Sequence, residues 1–131
     1  MKTFLKLKGN YKDLIAYQKA ECIYDITYYF AHNFLSKKDR TIDQMVQAAR
    51  SGKQNIAEGN SAATTSLETE LKLINVARAS LQELLLDYED YLRVNKFEQW
   101  DINSSKAIQT RKIYSKHNDS AYYRDAITKR N

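Results

Sequence analysis

Residues 67–92 read LETELKLINVARASLQELLLDYEDYL, and this stretch decides the fold. Along it, apolar side chains recur at alternating spacings of four and three residues, and only Arg78 interrupts them. The positions of this row, called the seam below, are Leu67, Leu71, Ile74, Arg78, Leu81, Leu85, Tyr88 and Leu92. Such spacing puts an apolar stripe on one side of an α-helix that packs against other helices. The stretch therefore predicts a long helix within a helical bundle.

A second row of mostly apolar side chains runs beside the seam. Its members are Leu73, Ala77, Ser80, Leu84 and Tyr91. At about 100° per residue the two rows cover an arc of roughly 160°, whereas a helix at the edge of a monomeric bundle needs only about 100°. The extra width indicates two sets of neighbours, namely the other helices of the chain and an adjacent subunit. The alternative is a helix that lies deeper in a single core.

Four further stretches have helical periodicity. They span Tyr11–Phe34, residues 42–59, residues 104–117 and residues 121–129. Asn10 can begin the first helix, and Thr65 or Ser66 can cap the helix that starts at Leu67. Gly59 is typical of the residue at which a helix stops, so the second helix is predicted to end there.

These stretches predict one all-α domain over residues 1–131. It is an antiparallel up-down-up-down four-helix bundle at about residues 10–117, followed by a short basic helical extension at about 118–131. The absence of proline and the presence of only three glycines disfavour an all-β fold, which needs frequent turns. Trp100 is expected to anchor the connection before the fourth helix. That helix is predicted to direct the following side chains inward: Ala107, Ile108, Ile113 and Tyr114.

The sequence contains no constellation typical of catalysis or cofactor binding. Cys22 is the only cysteine, and His32 and His117 are far apart, so neither a disulfide nor a zinc site is expected. Cys22 lies on an apolar face and is expected to pack rather than to react. No paired carboxylates, nucleophile–base pair or phosphate-binding glycine loop has the required spacing. We therefore expect a protein that is not an enzyme and that holds no metal or cofactor.

The expected location is the cytoplasm. No run of about 18 apolar residues is present that could cross a membrane. The basic residues near the start interrupt the apolar positions there, so no secretion signal is expected in this segment. A membrane is therefore not among the expected partners.

Charge is unevenly distributed along the chain. The net charge is +5 overall, but it is −3 over residues 61–100 and +4 over residues 101–131. A basic surface attracts the phosphates of RNA or DNA because binding releases counterions. The candidate nucleic-acid-binding residues are Lys37, Lys38, Arg40, Lys53, Lys106, Arg111, Lys112, Lys116, Arg124, Lys129 and Arg130. In the alternative, the acidic helix matches basic residues of another helix or subunit, and the protein binds no nucleic acid.

Tyr122 and Tyr123 precede Arg124, and such a cluster can stack bases of a single strand. Tyrosine is also common at interfaces between helices, because its ring is apolar and its hydroxyl is polar. The second use is the more frequent one in a helical bundle.

Residues 50–59 read RSGKQNIAEG and are the most distinctive part of the chain. Asn55 and Glu58 are adjacent on the helix surface, so they are predicted to form a structural polar cluster with a facing helix. The expected partners on that helix are Arg78, Ser80 and Glu83. Gly52 costs about 1 kcal/mol of helix stability relative to alanine, which suggests that close packing or access compensates for it. Lys53 falls in the apolar arc, where it either reaches the edge or lines an opening in an oligomer.

Three segments together resemble one family, the four helix bundle proteins encoded by intervening sequences in bacterial 23S ribosomal RNA genes. Residues 50–59 resemble its pattern R-S-I-x-x-N-I-A-E-G, and residues 76–84, VARASLQEL, resemble I-A-x-x-S-L-x-E-L. The first helix matches Y-x-x-L-x-x-W-Q-x-A at Tyr11, Leu14, Gln18 and Ala20, with Tyr17 in place of tryptophan. Gly52 stands where an aliphatic residue is usual. The sequence of residues 50–59 is most similar to that of the branch called the four helix bundle suffix group.

The resemblance implies an antiparallel bundle that associates into a ring, commonly a pentamer. A related family, the accessory variability determinants of diversity-generating retroelements, partners a reverse transcriptase and nucleic acid. The resemblance thus implies self-association, RNA or DNA, and a nucleic-acid enzyme as partners. Two hypotheses follow: a non-enzymatic nucleic-acid-binding accessory protein, or a structural protein-interaction scaffold.

Overall fold

The computed structural model describes residues 11–62 and 66–128. Those ranges contain five α-helices and no β-strand, which confirms the all-α class. The helices are α1 (Ile15–Phe34), α2 (Thr41–Ala62), α3 (Leu67–Val94), α4 (Ser105–Lys116) and α5 (Ser120–Thr128). A 3-10 turn at Tyr11–Asp13 precedes α1. Asn10, Thr65, Lys129 and Arg130, which carried sequence predictions, lie outside the described residues.

Local capping interactions explain some of the helix ends. Ser66 caps α3, because its side chain accepts a hydrogen bond of 3.2 Å from the Thr69 backbone N–H. The first helix begins at Ile15 rather than at Tyr11, since Leu14 adopts an extended conformation between the 3-10 turn and α1. The prediction that the second helix stops at Gly59 is wrong, because α2 continues to Ala62.

Both glycines of α2 are buried at its contact with α3. A Cβ atom on Gly52 would lie 2.7 Å from Cδ2 of Leu81, and one on Gly59 would lie 3.0 Å from Cδ1 of Ile74. The missing side chains let α2 approach α3 closely, as expected for Gly52. Gly59 has the same packing role, and this explains why a residue typical of a helix end lies inside α2.

Two clusters of buried side chains form the core of α1, α2 and α3. At one end, Tyr17 and Ala20 at the start of α1 pack with Ile56 and Ala57 near the end of α2, and with Ala77 of α3. At the other end, residues near the start of α2 meet the last turns of α1 and the second half of α3. That cluster contains Met45, Ala48, Ala49 and Leu84, with Phe30 and Tyr88 packed against it. The three helices therefore run up, down and up.

A buried polar pair joins α1 to α3. The hydroxyl groups of Thr27 and Tyr88 are 2.8 Å apart, and the Thr27 side chain is fully buried. Burial raises the pKa of Tyr88 above its ordinary value, and the hydrogen bond to Thr27 partly opposes that shift. Phe30 completes the contact, with ring centroids 5.1 Å from Tyr88 and 4.9 Å from Tyr91.

The last two helices lie on the other side of α1. Cys22 and Ala31 are both fully buried and are nine residues apart, which puts them on opposite faces of α1. α5 packs against α1 on the Cys22 side, and Tyr114 and Tyr123 lie near the thiol. α4 contains no buried residue. Among its predicted inward side chains, Ala107 and Tyr114 are half-buried, whereas Ile108 and Ile113 are 38% and 37% exposed.

The connection before α4 also differs from prediction. Trp100 was expected to anchor that connection in the bundle, but its side chain is 53% exposed. The ring instead lies below Lys106, whose Nζ atom is 5.8 Å from the ring centroid. The connection therefore follows the surface.

A methyl group at Gly52 should destabilise the bundle more than one at Gly59. Gly52→Ala places its Cβ against the branched part of Leu81, where overpacking costs about 1–3 kcal/mol and outweighs the roughly 1 kcal/mol gained in helix propensity. The Cβ of Gly59→Ala would lie 3.0 Å from the flexible end of Ile74 and at an ordinary contact distance of 3.6 Å from the carbonyl oxygen of Glu70. Chemical denaturation of both variants measures the difference, and a Gly52→Ala protein at least as stable as Gly59→Ala would contradict this packing.

Candidate functional site

α4 carries the most uniform charge among the described helices. Its twelve residues include four basic side chains and no acidic one. These are Lys106, Arg111, Lys112 and Lys116, and all four are exposed. Lys112 and Lys116 are one turn apart and so share a face. Because α4 has no buried residue, most of its surface is available for contact with another molecule.

The start of α4 is held by local hydrogen bonds. Ser104 caps the helix by accepting a 3.2 Å hydrogen bond from the Ala107 backbone N–H. The Arg111 guanidinium donates a 2.7 Å hydrogen bond to the carbonyl oxygen of Ile102. Arg111 thus also attaches the preceding connection to α4. The exposure of Lys112 and Lys116 argues against a structural role of this kind for them.

The end of α4 is attached to α1 through Tyr114 and Lys19. The Tyr114 hydroxyl donates a 3.1 Å hydrogen bond to the carbonyl oxygen of Lys19, and the Lys19 ammonium donates to the carbonyl oxygen of Tyr114. The Lys19 Nζ atom also lies 4.1 Å from the centroid of the Tyr114 ring. Burial raises the pKa of Tyr114 to about 12. This reciprocal pair joins two helices that otherwise share little surface.

The two tyrosines that were considered for base stacking already have contacts within the chain. The Tyr123 hydroxyl donates a 2.6 Å hydrogen bond to the carbonyl oxygen of His117. The Tyr122 ring stacks on His117, with centroids 3.8 Å apart and an interplanar angle of 2°. Arg124 lies beside α1, with Nε 3.7 Å from an oxygen of Asp25. These contacts favour the structural use of the tyrosines, at the junction of α4, α5 and α1.

The basic residues between α1 and α2 lie in a different electrostatic setting. Lys37, Lys38 and Arg40 are exposed, but their loop lines a cleft with Asp87 and Asp90 of α3. Burial, together with the charges of Asp90 and Glu83, raises the pKa of Asp87. The loop that carries these cations therefore borders a cleft with an acidic lining, whereas no acidic residue interrupts α4.

Lys53 is separate from both groups of basic residues. Its side chain is half-buried, and its Nζ atom lies 4.7 Å from the centroid of the Tyr24 ring on α1. A cation over an aromatic face accounts for a lysine in the apolar arc of α2. Lys53 therefore contributes to the contact between α1 and α2 in this chain.

The predicted polar cluster is only partly brought together. The Asn55 side-chain amide donates to the carbonyl oxygen and to the hydroxyl of Ser51, at 2.8 and 3.1 Å. The Ser51 hydroxyl is in turn 2.8 Å from that of Ser80 on α3. Ser51 is the connecting residue, and sequence reasoning missed it. A serine one turn before Asn55, on the face toward α3, was the available signal.

The remaining members of that predicted cluster are exposed on three different surfaces. Glu83 lies beside Ser51 and Ser80 in a shallow cleft, and Glu58 lies in another with Tyr11. Arg78 lines a groove on the opposite edge of α3. The cluster thus consists of Asn55, Ser51 and Ser80, with Glu83 at its rim.

An open groove of about 620 Å³ lies between the start of α1, the end of α2 and the first part of α3. Its apolar lining includes Leu14, Ile56, Ile74, Leu81 and Leu85, and Glu70 and Arg78 supply its charges. The α3 residues of the groove belong mostly to the seam. Part of the seam therefore borders the groove.

The exposed fractions show how the two rows of α3 are used. Leu67, Leu71 and Leu85 of the seam are 66%, 54% and 48% exposed. Ala77 and Leu84 of the second row are 2% and 3% exposed. The chain's own helices therefore bury Ala77 and Leu84 of the second row. Within the seam, Ile74 and Leu81 are half-buried against Gly59 and Gly52 of α2, so only part of the seam is open.

The described residues contain neither a membrane-spanning helix nor a candidate metal centre. No helix within residues 11–62 and 66–128 is long and apolar enough to cross a bilayer. In the same ranges, no three His, Cys, Asp or Glu side chains are placed so that they could hold a metal ion together.

Removing the Tyr114 ring should release α4 and α5 from α1 and uncover Cys22. In a Tyr114→Ala variant we expect a thiol reagent to modify Cys22 at least about tenfold faster than in the wild type, because local opening controls access to a buried group. Tyr122→Ala is the matched control, since its ring is partly exposed. Equal rates in the two variants would contradict the attachment through Tyr114.

The attachment should also weaken at high pH. The folded chain favours the neutral Tyr114 phenol, since its pKa is about 12 rather than the ordinary 10. The stabilisation that the neutral Tyr114 phenol contributes to the folded chain is fully present below pH 10 and is lost as the pH rises from 10 to 12. Subtracting the phenolate absorbance titration of Tyr114→Phe from that of the wild type isolates this group, and a midpoint near 10 would contradict its burial.

Comparison with known proteins leaves the chain without an assigned relative. No protein-family model, no curated protein and no solved structure matches it.

Proposed function

We propose that the protein is a non-enzymatic, self-associating helical bundle that binds RNA or DNA as an accessory protein through α4. The observation that carries this proposal is the charge of α4, which has four exposed basic side chains and no acidic one. Ordinary solvated helices mix both signs, as α3 does. A uniformly basic, exposed helix is a surface to which a polyanion binds favourably.

The chemistry of α4 supports binding without sequence specificity. Its cations are spread around the helix rather than aligned in one stripe, so they can contact phosphates from several directions. The tyrosines of this region pack within the chain, which leaves counterion release as the main source of affinity. Binding of this type depends steeply on salt and weakly on base sequence.

The finer architecture and the family are part of the same proposal. The motifs in residues 50–59 and 76–84 favour an up-down-up-down four-helix bundle related to the intervening-sequence family. The exposed seam residues Leu67, Leu71 and Leu85 of α3 support self-association, because an isolated chain leaves these leucines in water. A nucleic-acid enzyme as a further partner rests on the resemblance alone.

One observation favours a second candidate function, a protein-interaction scaffold that binds no nucleic acid. The groove beside α3 is large and apolar, and α3 itself is acidic. In this second function, the positive charge of α4 pairs with acidic surfaces of other subunits. The two candidates differ in whether the protein binds a polyanion.

Fluorescence anisotropy with labelled single- and double-stranded RNA and DNA, across a salt series, tests the proposal. We expect binding that weakens steeply with salt. The variant Lys106→Gln, Lys112→Gln, Lys116→Gln should bind about tenfold or more weakly, and its salt slope should fall by about 2–3 because each lost phosphate contact removes slightly less than one counterion.

The matched control is Lys37→Gln, Lys38→Gln, Arg40→Gln, which removes the same number of charges from the loop beside Asp87 and Asp90. We expect it to bind within about threefold of the wild type, since acidic neighbours already reduce the potential there. Equal losses in both variants would reject α4 as the interface. A wild-type protein with no salt-dependent binding would leave the scaffold as the function.

A further inference from the structure

Trp100 lies on the surface, beside the start of the basic helix α4. It is 53% exposed, although tryptophan is highly buried on average. Lys106, the second residue of α4, lies over the ring, with its Nζ atom 5.8 Å from the centroid. Arg111 lies beside the same connection, because its guanidinium donates a hydrogen bond to the carbonyl oxygen of Ile102. An accessible aromatic ring thus lies next to two cations.

We propose that Trp100 is a stacking platform for one base of single-stranded RNA or DNA, and that Lys106 and Arg111 bind the phosphates next to that base. This inference rests on the proposed function and names the form of nucleic acid that the site takes. Stacking on an aromatic ring uses the π-face that every base has, so it adds affinity without sequence specificity. It therefore agrees with a surface that binds mainly through charge.

A single strand is the favoured ligand because its bases are accessible. In a duplex, the faces of each base lie against the neighbouring base pairs, and proteins reach only base edges from the grooves. An unpaired base can turn outward and stack on an aromatic side chain. The cations of α4 can bind phosphates of either form, so Trp100 is the part of the site that discriminates between them.

The connection that carries Trp100 is attached to α4 by hydrogen bonds. The carbonyl oxygen of Asp101 accepts a 3.0 Å hydrogen bond from the Ser104 backbone N–H. The 2.7 Å hydrogen bond from Arg111 to Ile102 fixes the same segment to the next turns of the helix. Because the ring is positioned before a ligand arrives, little conformational entropy is lost when a base stacks on it.

The charge around the ring suits a nucleotide. Residues 95–116 carry five basic and two acidic side chains. One of the acidic side chains, Asp101, accepts a 2.8 Å hydrogen bond from the Asn103 backbone N–H. From Lys106 to Lys116, α4 is about 15 Å long at 1.5 Å per residue, so a strand bound at Trp100 extends along further cations. A nucleotide offers an aromatic face and a negative charge together, which is what this surface complements.

Intrinsic fluorescence tests the stacking directly, because Trp100 is the only tryptophan of the chain. An oligothymidine of about 12 nucleotides, which forms no internal base pairs, should quench this fluorescence until the site is saturated. The matched probe is a strand of the same length without bases, because its phosphates bind the cations but nothing stacks. It should bind more weakly and quench little.

Substitution of the ring provides the second measurement. Trp100→Ala should weaken binding of the oligothymidine at least about fivefold, the lower end of the effect of removing one stacked base. Its salt slope should equal that of the wild type, since no phosphate contact is lost. Its affinity for a duplex of the same length should stay within about twofold. Trp100→Phe should recover part of the loss, because phenylalanine also has an aromatic face.

Phe97→Ala is the matched control. Phe97 belongs to the same connection and is 56% exposed, and its ring contacts Tyr91, with centroids 6.0 Å apart. We expect Phe97→Ala to bind the oligothymidine like the wild type. Both alanine variants should keep their helical content, because each removes an exposed side chain.

The outcomes separate this inference from the proposed function. Equal losses in Trp100→Ala and Phe97→Ala, an unquenched tryptophan at saturation, or an equal loss on the duplex would overturn the platform and leave binding through α4 intact. Trp100→Ala that loses self-association in sedimentation but keeps its affinity for the strand would also overturn it, since the ring then belongs to a subunit contact. A wild-type protein without salt-dependent binding of any strand would refute the proposed function itself, and the platform with it.

Discussion

The close contact between α2 and α3 is the interaction on which the rest of the structure depends. Gly52 leaves no space for a methyl group beside Leu81, and the Ser51 and Ser80 hydroxyls hydrogen-bond at 2.8 Å on the same interface. The backbone approach and this polar link together set the rotation of α3 about its own axis. That rotation turns Ala77 and Leu84 into the core and leaves Leu67, Leu71 and Leu85 exposed. Contacts inside the chain therefore decide which side chains of α3 are exposed.

α1 has a different role, because it is packed on two opposite sides. One side packs against α2 and reaches α3 through the side chains of Thr27 and Phe30, and the other carries α5, with the end of α4 attached through Tyr114. The first contact is extensive and apolar. The second depends on a few aromatic and polar contacts centred on Tyr114. The molecule thus combines a three-helix core with an attached basic element.

Much of the fold follows from the sequence, because helical periodicity and capping are local. The ends of α3 and α4 lie within one or two residues of prediction, and Ser66 caps as expected. The prediction that α2 ends at Gly59 was wrong, because a single sequence does not distinguish a glycine at a helix end from a glycine that lets a neighbouring helix approach closely. The position of α4 also could not be predicted from the sequence. Its apolar residues do not form one stripe, and its attachment depends on the long-range pair of Lys19 and Tyr114.

The candidate site was predictable to a lesser degree. The basic residues were identifiable by composition, but only the fold separates α4 from the loop beside Asp87 and from Lys53 over Tyr24. The width of the α3 arc indicated two sets of neighbours. Which residues of the two rows are exposed depends on the packing of Gly52 against Leu81, a tertiary contact that periodicity does not contain.

The buried hydroxyl pair of Thr27 and Tyr88 has a consequence for the alignment of α1 along α3. Apolar side chains alone tolerate a shift of one heptad between two helices, since the pattern repeats. A shift would leave both hydroxyl groups buried without a partner, which costs about 1–3 kcal/mol for each group. A single polar contact can therefore select one register from several of similar apolar burial. The contact between Thr27 and Tyr88 therefore favours one alignment of α1 along α3.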